Sequence, residues 1–84
     1  MLDKEIVCDI LGDVLHERES QYEKWGQQDH DEDRWMVILM EEVGEAARAI
    51  FDENPDNYRK ELLQVAAVAV AAIEAFDRKF PHED

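Results

Sequence analysis

The chain has 84 residues, a single cysteine, and 9 Lys and Arg against 22 Asp and Glu, a formal net charge of −13 at pH 7. That length supports one domain, residues 1–84, with a modest core; a lone cysteine excludes an internal disulfide, so support from a second copy is expected. The charge excludes a basic-patch nucleic-acid binder and opposes adsorption to anionic membranes.

The first helix is expected over about 3–25, with Asp3 as its N-cap. Its stripe starts apolar, with Val7, Ile10, Leu11 and Val14, and ends polar and aromatic, with Arg18, Gln21, Tyr22 and Trp25. Such an end suits a pocket wall: Arg18 and Lys24 would meet phosphates, and Tyr22 or Trp25 would stack on a base. The competing reading pairs Arg18 with Glu41 or Glu45 and lets Trp25 cap the core. Cys8 occupies an apolar position and reads as a small buried residue. Met1 to Glu5 is charged too early for a leader peptide, and a reducing, cytoplasmic setting is expected.

Gly26 ends this helix. Gln27 to Asp33 is a polar connection containing His30, a lone loop histidine of the kind usually left in solvent, and Asp33 is the expected cap of the second helix, over about 34–52. At about 100° per residue, Trp35, Ile38, Glu42, Glu45 and Ala49 form one stripe beside Leu39, Val43, Ala46 and Ile50. Glu42 and Glu45 therefore fall on or beside the buried face, while Glu41 turns outward toward Arg48 and Asp52. Unpaired buried charge is costly, so these two acids call for an Arg, a Lys or a divalent cation.

Pro55 stops helix propagation in the turn that follows, and Asp56 or Asn57 is the expected cap of a third helix over about 57–80. Taking Tyr58, Leu62, Val65, Ala69, Ile73 and Phe76 as its inner face puts Glu61 at the margin and Gln64 further round. A short turn would bring Glu61 opposite Glu42 and Glu45. Carboxylates about 6 Å apart repel by roughly 3 kcal/mol at an effective dielectric near 20, and an all-oxygen cluster without cysteine favours Mg²⁺ or Mn²⁺. Val65 to Ile73 is apolar on every side, the mark of a buried helix. Three helices cannot enclose one of their own, so the side carrying Leu63, Ala67 and Val70 is expected to meet a second copy. The longest uncharged run, Leu62 to Ile73, has 12 residues, too few to span a bilayer. Pro81 to Asp84 reads as a frayed tail. No strand pattern or repeat appears, so the expected fold is all-α: a three-helix protomer forming a helical-bundle homodimer.

The order of features resembles the MazG-like all-α nucleoside triphosphate pyrophosphohydrolases over roughly residues 15 to 78. The residues that carry it are Glu17-Arg18, Gln21, Lys24-Trp25-Gly26, Trp35, Glu41-Glu42-Val43-Gly44-Glu45 and Glu61-Leu62-Leu63-Gln64-Val65-Ala66. The family motif is Glu-x-x-Glu, a spacer (here residues 46 to 60), then Glu-x-x-Asp. The resemblance implies a helical oligomer, usually with a tight dimer at its core, and Mg²⁺ held by the motif acids; whether the dimer pairs again into a tetramer is open. It also implies cleavage of a ribo- or deoxynucleoside triphosphate between its α and β phosphates to give the monophosphate and pyrophosphate.

Carried over, the metal ligands are Glu42, Glu45 and Glu61, the acids on which catalysis rests. Gln64 stands where the family has Asp; an amide oxygen coordinates but brings neither charge nor base. Weaker metal binding, a changed substrate and lost activity are all open at that position. The substrate side would comprise Arg18, Gln21, Tyr22, Lys24, Trp25 and Trp35. Two rival readings stand beside this one: a non-catalytic nucleotide- or metal-binding relative, and an acidic interaction protein that mimics DNA.

Overall fold

The computed structural model describes residues 1–81, which form α1 (Lys4–Trp25), α2 (Glu32–Phe51) and α3 (Pro55–Lys79) with no strand among them. Of the expected frayed tail, residues 82–84 lie outside the described residues.

The helix ends follow from side chains that satisfy first-turn amides. Asp3 Oδ1 accepts from the amides of Glu5 and Ile6 at 3.1 and 3.2 Å, and Gly26, at φ 67°, closes α1 with its amide 2.8 Å from the Tyr22 carbonyl. The next two caps sit earlier than the sequence led us to expect. Asp31, not Asp33, caps α2, accepting from the Arg34 amide at 2.9 Å; Asp33 lies within the first turn, where the helix dipole still favours its charge. Asn54, not Asp56 or Asn57, caps α3, accepting from the Asn57 amide at 3.2 Å. Pro55 thus opens α3 instead of merely interrupting the chain, because its missing N–H and fixed φ suit the first helical position.

Both α1 and α2 pack on α3, and they do not pack on each other. The α2–α3 seam is hydrocarbon: Trp35, Val68, Ala71 and Ala75, flanked by Ile38, Leu39 and Ala72. On α3 the inner face is Ala67, Val68, Ala71 and Ala75, while Leu62, Ile73 and Phe76 are exposed. This shifts the inner face of that helix by part of a turn from the expected one. Ala67, assigned to a partner copy, is fully buried within the chain, and of the stripe assigned to the core Leu62, Ile73 and Phe76 face out while Tyr58, Val65 and Ala69 are half-buried. The physical reason is that α3 is apolar nearly all round, so periodicity selects no unique inner face; alanines at successive turns let the helices approach closely and gain dispersion contacts.

Ion pairs hold α1 in place. Arg18 Nε lies 2.6 Å from Glu74 and Arg59 lies 2.7 Å from Asp13. The α1–α2 connection is pinned to the end of α3 by Arg78, 2.9 Å from Asp29, whose carboxyl is held below its ordinary value by the Gln27 amide and then by Arg78. Cys8 is exposed, contrary to its expected burial, because the first half of α1 lacks a facing helix. Among the described residues no helix is long and apolar enough to cross a membrane.

Candidate functional site

Glu42 occupies the middle of α2 and is half-buried. Its burial pushes the carboxyl above its ordinary value, and the neighbouring charges of Glu61, Glu45, Glu41 and Glu17 push it further the same way. Among the described residues no Lys or Arg forms an ion pair with Glu42, Glu45 or Glu61. The acids of α1, α2 and α3 thus act on Glu42 through their charge, while no three of them converge on one point among the described residues. Glu61 is half-buried, whereas Glu45 is exposed and does not lie on the buried face.

The sequence reading missed Glu17 as a member of this group. It is half-buried on α1, and its Oε1 accepts a hydrogen bond from Gln64 Nε2. Gln64 Oε1 in turn accepts from Gln21 Nε2 at 3.0 Å. A carboxylate only accepts, so Glu17 fixes which way the Gln64 amide faces. The carbonyl oxygen expected as a metal ligand is thereby turned toward Gln21, itself a buried polar side chain. The available signal was positional: Glu17 precedes Gln21 by one helical turn and follows the buried Val14 by three residues, on the same face.

These groups border a cleft of about 170 Å³ lined by Gln21, Trp25, Gln28, Trp35, Ile38, Glu42, Gln64, Val68 and Ala71. It lies over α3 where α1 and α2 diverge. Its walls are mostly hydrocarbon and indole, with three amides and one carboxyl as the polar groups. Trp35 enters it only as part of the core: the residue is 6% exposed, its ring edge meets His30 at 5.0 Å between centroids, and its indole N–H finds no acceptor among the described residues. His30 is thus half-buried, not a solvated loop residue.

The expected substrate residues separate into two places. Gln21, Trp25 and Trp35 line the cleft, and Lys24 lies over the Trp25 ring at 5.7 Å. Arg18 and Tyr22 instead border a second depression with Glu19, Glu23 and Glu74. There Arg18 binds Glu74 through both Nε and Nη2, at 2.6 and 3.3 Å, and not Glu41 or Glu45 as the competing reading had it.

The donor set around Glu42 suits a hard divalent cation in kind, being carboxylate oxygen without thiol or imidazole. Its arrangement is that of neighbours, since no three His, Cys, Asp or Glu among the described residues converge on one point. Compared with protein-family models, with curated proteins and with solved structures, the chain matches none.

Proposed function

We propose that the chain is a metal-dependent nucleoside triphosphate pyrophosphohydrolase of the MazG-like kind, releasing the monophosphate and pyrophosphate, and that it works as a homodimer in a cytoplasmic setting. The observation that carries this reading is the position of Glu42: a half-buried carboxyl that feels the charges of Glu61, Glu45, Glu41 and Glu17, with no ion pair to Glu42, Glu45 or Glu61 among the described residues. Such an arrangement costs the folded chain a modest amount at neutral pH, which a bound cation would relieve. Beside it lies a cleft with indole and amide walls, the surfaces on which a base stacks and hydrogen-bonds.

In this reading Glu42, Glu45 and Glu61 hold Mg²⁺ or Mn²⁺, which when bound supplies positive charge to the triphosphate and to the charge that develops on cleavage. The base enters the cleft against Trp25, with the Gln21 and Gln28 amides at its edge. A carboxylate of the cluster takes the proton of the attacking water. Gln64 positions Gln21 and is not a ligand. Lys24 is the cation best placed to reach the phosphates, since Arg18 is committed to Glu74.

A second reading, a nucleotide- or metal-binding protein without turnover, is favoured by one observation: both ends of the Gln64 amide are engaged within the chain, leaving the cluster one acid short of the family's four. The deciding experiment measures pyrophosphate and free phosphate from a panel of nucleoside triphosphates with Mg²⁺ or Mn²⁺, alongside the Glu42→Ala protein. Pyrophosphate without phosphate, lost in Glu42→Ala, supports the enzyme. No product from any nucleotide, together with a metal-dependent rise in melting temperature, supports the binding protein. A protein indifferent to both metal and nucleotide overturns both readings.

A further inference from the structure

The first nine residues of α1, Lys4 to Gly12, contain no buried side chain, and only Val7 is even half-buried. Nine helical residues span about 13 Å. Yet their sequence is that of a packing surface: Val7 and Ile10 continue the stripe that Val14 and Gln21 bury against α3, and Ile10 is 42% exposed. The reason is geometric. Asp13 already meets Arg59, close to the start of α3, so the preceding turns of α1 have little of α3 left to lie on. The molecule is accordingly elongated, 43 Å along its principal axis, longer than the roughly 37 Å that a 25-residue helix such as α3 provides.

A second bare surface lies on the α2–α3 hairpin. Met36 and Met40 on α2 and Leu62, Ile73 and Phe76 on α3 are all exposed, and Met36 borders the same groove as Ile73 and Phe76. Both surfaces belong to a chain that exposes more area than a compact one of its mass. A compact monomer of 9.8 kDa presents about 5,200 Å², while this chain presents 6815 Å². The surplus, about 1,600 Å² per chain, is the amount that a permanent dimer removes from each partner.

We propose that the two surfaces are each other's partners across a two-fold axis: the α1 arm of one copy, through Ile10, lies on the α2–α3 face of another, and the two copies exchange arms. This deepens the homodimer of the proposed function by naming its contact surfaces, and it differs from the face expected from sequence, whose Ala67 is already buried. Reciprocal exchange closes the assembly at two, as an isologous contact does. Because each chain carries a charge of −13, the contact is hydrocarbon set against charge repulsion, and added salt tightens it.

Cys8, exposed on the arm and the single cysteine of the chain, allows a direct test. A cysteine-reactive benzophenone attached there is irradiated in the intact protein, and the captured peptides are mapped; sedimentation equilibrium is run in parallel on wild type, Ile10→Asp and Ile73→Asp, with helicity checked by circular dichroism. Expected are a dimer, cross-links from Cys8 to the α2–α3 hairpin of the other copy, and a dissociation constant raised at least tenfold in either variant with helicity retained. A dimer that both variants leave unchanged, or cross-links from arm to arm, overturns the arm exchange while leaving the homodimer standing. A wild-type monomer overturns both, and open-ended polymers overturn the two-fold closure.

Discussion

Gln64 on α3 and Glu17 on α1, forty-seven positions apart, are joined by a hydrogen bond from amide to carboxylate. The pairing gives the residue at position 64 a structural reason to be neutral: an aspartate there would confront Glu17 directly and add to the charges already acting on Glu42. Gln64→Asp is expected to destabilise the fold by about 1–3 kcal/mol, the range for replacing a made hydrogen bond with an unmatched polar group. Glu17→Gln in the same chain should recover most of that loss. Urea titration of the two single variants and the double variant measures the recovery, and an additive double variant would sink the pairing argument.

Glu42 makes stability depend on pH with a definite sign. Its carboxyl is raised in the folded chain above the ordinary value of 4.5, so the folded state binds the proton more tightly than the unfolded state does. The resulting penalty is absent well below pH 4.5, grows as pH rises through that value, and is complete above the folded value. Glu42→Gln should therefore raise the metal-free melting temperature at neutral pH by about 2–4 °C, a modest shift for a partly exposed group in a domain of this size. The gain should vanish near pH 4. A gain that persists in acid would point to packing, not charge.

Arg18 and Glu74 form a two-pronged pair in which the arginine side chain is 13% exposed and the glutamate 40%. Half-exposure limits its worth, and a double-mutant cycle with Arg18→Met and Glu74→Gln should return a coupling of about 1 kcal/mol. A coupling indistinguishable from zero would mean that Arg18 is free to serve the nucleotide phosphates.

The caps allow a sharp comparison between neighbours. Asp31→Ala and Asn54→Ala should each cost about 1 kcal/mol, because each removes an acceptor from a first-turn amide. Asp33→Ala and Asp56→Ala, two residues further on, should each cost only a few tenths. Thermal melts of the four proteins rank them.

Trp35 is buried with its indole N–H unmatched. Trp35→Phe should cost less than about 1.5 kcal/mol, since relief of the unmatched donor offsets lost volume, whereas Trp35→Ala should cost about 3–5 kcal/mol. Chemical denaturation distinguishes the two.

Three helices, their order and the Gly26 stop were legible because caps, breakers and a 3.6-residue period are local signals. The starts of α2 and α3 were not, because Asp31 competes with Asp33, and Asn54 with Asp56 and Asn57, and only the path of the chain chooses between them. The inner face of α3 was illegible for a different reason: where every side is apolar, closeness of approach decides, and alanine wins over leucine. The spacing on each helix put Glu42 and Glu61 at the margins of buried faces, and both are half-buried, whereas Glu45 is exposed. Glu17 was missed because its role depends on α1 crossing α3 near Gln64, a tertiary fact with no trace in local spacing. The unequal fates of Arg18 and Gln21, three residues apart, are likewise set by the neighbour each meets.

That α1 and α2 share α3 without touching divides the fold into unequal parts. The α2–α3 hairpin joins sequence neighbours through a dry alanine-lined seam, while α1 is fastened chiefly by polar bonds and ion pairs that water can replace. Amide protons of α1 should then exchange through an opening that leaves the hairpin formed, ahead of global unfolding. The cleft is bounded by the helix held chiefly through polar bonds, so a ligand that bridged α1 to the hairpin there would act as a clasp and slow that exchange.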